Sequence, residues 1–190
     1  MFPVLKPAHW QGLEHGARAH VWIGTPAEPV LVVAYGCFDG GLLSYVTNDV
    51  SGYGHPDVLV REAFENLAAH PIELQQVGAG ADQVLLTAGP LTAEQVLSEA
   101  HMLRAHERLD TDRIVVSIAR RDAFMACAAD ASDQLRRTVA GLHLEAWSDS
   151  GGHRERLFGD LIVFERGLKV ATVPVGAALG ADSPWGRWAP

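Results

Sequence analysis

Apolar and polar positions along this chain form a pattern that recurs about every 40 residues: two strand-like runs, a tight turn between them, then a helical stripe. The turns fall at Asp39-Gly40-Gly41, at Gly78-Ala79-Gly80-Ala81-Asp82 and at Arg120-Arg121-Asp122. In the first unit, Val30-Leu31-Val32-Val33-Ala34-Tyr35 is too rich in β-branched residues to favour a helix and reads as a buried strand. Asp39-Gly40 offers the positive φ angles of a hairpin turn, and Leu42-Leu43-Ser44-Tyr45-Val46-Thr47 returns the chain. Runs 72–77 and 83–87 repeat the arrangement, as do 114–119 and 123–128. A fourth pair around Arg166-Gly167 closes the series without a clear helix.

The stripes predict helices near 57–69, 93–107 and 131–142. His55-Pro56-Asp57 looks like a helix start with proline in the first turn, and Val60, Phe64, Leu67 and Ala68 then share a face. Thr92 and Gln95 have the spacing of a capping box, after which Val96, Ala100 and Leu103 should face the core and Glu94, Ser98 and His101 the solvent. Leu135, Val139 and Leu142 repeat at helical spacing after a start near Asp130 or Ser132, with Gly141 fraying the end. The pattern predicts a single α+β domain over 1–190: an N-terminal extension (1–28), ββα units at 29–70, 71–110 and 111–143, a closing hairpin (157–175) and a Trp-containing tail (180–190). The repeated units should build a mostly antiparallel sheet, mixed if the helices act as crossovers, with helices packed mainly on one face.

Charge narrows the partners. A formal net charge of −8 makes a self-repelling acidic surface that disfavours nucleic-acid backbones and anionic membranes. Arg120-Arg121, Arg136-Arg137 and Arg154/Arg156 are the dense basic spots, and each is short and flanked by acids. The two cysteines, Cys37 and Cys127, lie in apolar runs without a recognisable spacing, which fits small buried side chains in a reducing compartment. No basic segment followed by an apolar stretch opens the chain, and no eighteen apolar residues run together, so a soluble, cytoplasmic protein is expected.

Candidate chemistry is sparse. His101 and His106 share a helix, but five residues put them about 140° apart around its axis, and His9, His15 and His20 lack compact ligand spacing. No metal site and no cofactor is expected. No nucleophile elbow, phosphate loop or dinucleotide fingerprint occurs, so no catalytic residue is assigned. Arg120, Arg121 and Asp122 occupy a turn position where the other hairpins have glycine, and at an exposed tip two guanidiniums beside a carboxylate would suit a carboxylate- or phosphate-bearing partner. The plainer reading has Asp122 stabilising the turn and pairing with an arginine, for a gain within about 1 kcal/mol. If the arginines recognise an acidic partner, replacing both by Ala should weaken binding by about 1–3 kcal/mol and leave folding nearly untouched, whereas loss of folding with unchanged binding would mark the turn as structural. Trp185 and Trp188 are the other binding candidates, each with enough apolar area to anchor the tail on the body or on a second copy of the chain.

The segments Glu62-Ala63-Phe64-Glu65-Asn66-Leu67, His101-Met102-Leu103-Arg104 and Ile114-Val115-Val116-Ser117-Ile118-Ala119-Arg120-Arg121-Asp122 resemble, in their order, the YtpQ-like bacterial proteins, a family of unknown function. The resemblance covers residues 55–128, and Arg120 stands where that pattern has a serine. It implies no activity, cofactor or catalytic residue. The expectation is a non-catalytic protein-binding module of adaptor, chaperone-like or immunity type, acting on another protein or on itself as a homodimer. The alternative is a small-ligand-binding protein or hydrolase with Arg120, Arg121 and Asp122 at its mouth. A polar pocket with a perturbed ionisable group would favour the second, and a flat apolar patch the first.

Overall fold

The computed structural model describes residues 1–39, 42–48, 55–149 and 155–179. The tail with Trp185 and Trp188, and the turn glycines Gly40 and Gly41, lie outside them. The fold class is α+β, and every strand pairing described is antiparallel. The chain divides into two compact units, Met1–Pro71 and Ile72–Pro190, with one sheet in each.

In the first unit β3 (Pro29–Asp39) is the axis. Strand β1 (Phe2–Pro7) flanks it on one side, and β2 (Ala19–Gly24) and β4 (Leu42–Tyr45) share the other. With neighbours on both sides, Leu31, Val32, Val33, Ala34 and Tyr35 are all buried. The expected hairpin pairing is present, with Cys37 opposite Ser44 and Asp39 opposite Leu42. Strands β1 and β2 fall in the stretch read from sequence as an extension. Two prolines, Pro3 and Pro7, mask β1, and they are tolerated because β1 is an edge strand with one neighbour. Lys6, 5% exposed, sets its ammonium 5.1 Å from the Trp10 ring and 5.5 Å from Tyr45, so two π faces help offset the loss of water. Helix α1 (Pro56–Ala69) starts as predicted: His55 Nδ1 accepts from Asp57 N at 3.3 Å, with proline in the first turn. Its buried residues are Leu59, Ala63 and Leu67, and Ala68 is exposed.

The second unit holds β5 (Gln75–Ala79), β6 (Asp82–Ala88), β7 (Arg113–Ser117), β8 (Ala123–Ala128), β9 (Leu161–Glu165) and β10 (Leu168–Val173), in the order β10-β9-β7-β8-β6-β5. The β5–β6 turn depends on glycine. At Gly78 φ is +98°, and an added Cβ would lie 2.2 Å from the Asp82 carbonyl oxygen.

Helix α2 (Glu99–Leu109) corrects the sequence reading. Residues Ala93–Leu97 form a 3-10 turn, Thr92 makes no side-chain cap, and Gln95 Nε2 donates to Leu91 O at 2.9 Å. The chain then extends at Ser98, whose Oγ caps α2 through His101 N. That break resets the helical phase: His101, Met102, Ala105, His106 and Leu109 face inward, Glu94 and Ser98 are buried, and Ala100 and Leu103 face out. Helix α3 (Asp133–Ser148) begins at its Ser132 cap as expected, but runs on past Gly141, burying Val139, Ala140 and His143 while Leu142 is exposed.

The helices also occupy both faces of this sheet, not mainly one. Val139 and Ala140 of α3, with Ala178 of α4 (Val175–Leu179), pack with Val115, Met125, Cys127 and Val163. The alternate strand residues Ile114, Val116, Phe124, Ala126, Ile162 and Phe164 are equally buried, and α2 packs on β6 and β8. The central strands therefore read as unbroken apolar runs, the signature of a sheet covered on both sides.

Candidate functional site

The Arg120-Arg121-Asp122 turn is not an exposed tip. Arg120 is 7% exposed, and its guanidinium donates to the carbonyls of Ala146, at 2.6 Å, and of Asp149. These carbonyls end α3, where unpaired oxygens and the helix dipole favour a cation. Arg156 donates to the carbonyls of Ser148 and Asp149, both at 3.3 Å. Arg121 lies 3.7 Å from the fully buried Glu94 and 3.9 Å from Glu155. Asp122 is half-buried, and its backbone carbonyl accepts from Gly89 N. The three residues thus come together, but the arginines are turned into the unit's own structure. With these contacts, replacing both arginines is expected to destabilise the unit, as a structural turn would require.

Both cysteines are free thiols. Burial pushes the Cys127 thiol up to about 12, whereas Cys37 is partly exposed. A thiol reagent should label Cys37 first in the native protein, and Cys127 only on unfolding. Equal fast labelling of both would contradict this burial.

Sequence reasoning missed one buried pair. Ser117 Oγ and His143 Nδ1 are 2.8 Å apart, at 5% and 0% exposure. Burial, outweighing the Gly159 backbone and the Asp160 charge, holds His143 below its ordinary value. The pair joins β7 to α3, and its enclosure gives a substrate no approach. Once the phase of α3 is known, His143 one turn beyond Val139 is the signal that would have found it.

The arrangement most suited to a ligand lies at the far end of α2. There the last turn of the helix, the entry to β7, the residues after β8 and the β9–β10 turn border an open cleft of about 780 Å³. Asp110 caps α2 in the left-handed region (φ 50°), and Arg166 turns β9 into β10 at φ 48°. Arg113 and Glu165, opposed across β7 and β9, pair at 2.7 Å. Arg166 pairs with Asp112 at 2.9 Å, which lowers the aspartate and raises the arginine from their ordinary values.

His106 forms part of the wall at 6% exposure. Its Nδ1 is 2.9 Å from Thr111 O, and because a carbonyl only accepts, Nδ1 carries the proton. Nε2 is then an acceptor, buried and without a hydrogen-bond partner. Burial lowers His106, outweighing Thr111 O and the Asp112 charge. Among the described residues no three His, Cys, Asp or Glu side chains converge as metal ligands.

Stability should therefore fall on acidification. His106 and His143 titrate near 6.5 when unfolded and lower when folded, so below that pH the unfolded chain binds more protons. Thermal melts should be flat above about pH 7 and drop from about pH 6.5 to 5, each kcal/mol lost lowering Tm by about 2–4 °C. A Tm that stays level or rises over that interval would contradict the buried, neutral assignment.

None of the cleft residues was singled out from sequence as a binding group, because three separate segments supply them. Comparison with protein families, with characterised proteins and with solved structures gives no significant match for this chain.

Proposed function

We propose that this chain is a non-catalytic, cytoplasmic binding protein whose second unit holds a small polar ligand in the cleft at the end of α2. The observation that carries the reading is the cleft itself, about 780 Å³ in volume, with the perturbed His106 in its wall. That size suits a small molecule, and the polar groups that border the cleft can orient one. Two cysteines without a recognisable spacing support a reducing compartment, and no described helix is long and apolar enough to cross a membrane. Membership of the YtpQ-like proteins belongs to this proposal on the strength of the segment order alone.

A thermal-shift panel of small metabolites spanning anionic, neutral and cationic classes tests the reading. A ligand at about 100 times its Kd stabilises by about 2.7 kcal/mol, a Tm rise of about 5–10 °C. No saturable shift with any class would count against it. Partner binding is the second reading, supported by Leu168 and Val170, 59% and 50% exposed on the edge strand β10. A concentration-dependent mass in light scattering, abolished by Val170→Lys, would favour it.

A further inference from the structure

We draw no further inference here: the strongest candidate, the carboxylate-rich wall of the open cleft at the end of α2, belongs to the site already described, and nothing among the described residues around it points to one class of ligand.

Discussion

Arg120→Ala is expected to destabilise the second unit by about 3 kcal/mol, because two carbonyls at the end of α3, those of Ala146 and Asp149, lose the same buried charged donor together. Bonds from a charged group contribute about 1.5–3 kcal/mol each, and Arg156 still donates to the Asp149 carbonyl in the variant. For a chain of this size a loss of about 3 kcal/mol is a Tm drop of about 6–12 °C. Arg137→Ala is the matched control: it removes the same charge from an exposed position on α3 and should change stability by no more than about 0.5 kcal/mol. If the two variants melt alike, Arg120 does not hold the helix end.

The second large effect belongs to Ser117 and His143. His143→Leu removes a fully buried ring that bonds the Ser117 hydroxyl, and Ser117→Ala strands the ring nitrogen. Each single change should cost about 1–3 kcal/mol through the unsatisfied partner. The double variant leaves no orphan at that bond, so it should be more stable than the two single losses added together, by about 1–2 kcal/mol. Strict additivity in denaturant unfolding would show that the 2.8 Å contact contributes nothing.

These two effects also mark where the sequence could be read and where it could not. Hairpins were legible because Val30-Leu31-Val32-Val33 and its counterparts carry a β signal in the residues themselves, and starts such as His55-Pro56 and Ser132 are local devices. Helix faces were less legible. One extended residue at Ser98 shifts every later position on α2, so Val96 does not predict the orientation of Leu103. Arg120 looked exposed because a turn ordinarily is. Its burial follows from α3 continuing past Gly141 to Ser148, which places carbonyls beside it. The cleft was the least legible feature. Leu103, Thr111, Ala129 and Glu165 meet only after the sheet has formed in its β9-β7-β8 order.

The most direct test of ligand binding at the end of α2 is an amide NMR map of the full chain with the best hit of the metabolite panel at saturation. The account predicts shifts concentrated on Leu103 to Arg113, Ala129 to Asp130 and Glu165 to Arg166, with Tyr35 and Ala140 unmoved. Saturable shifts centred elsewhere, or none around His106, would contradict it.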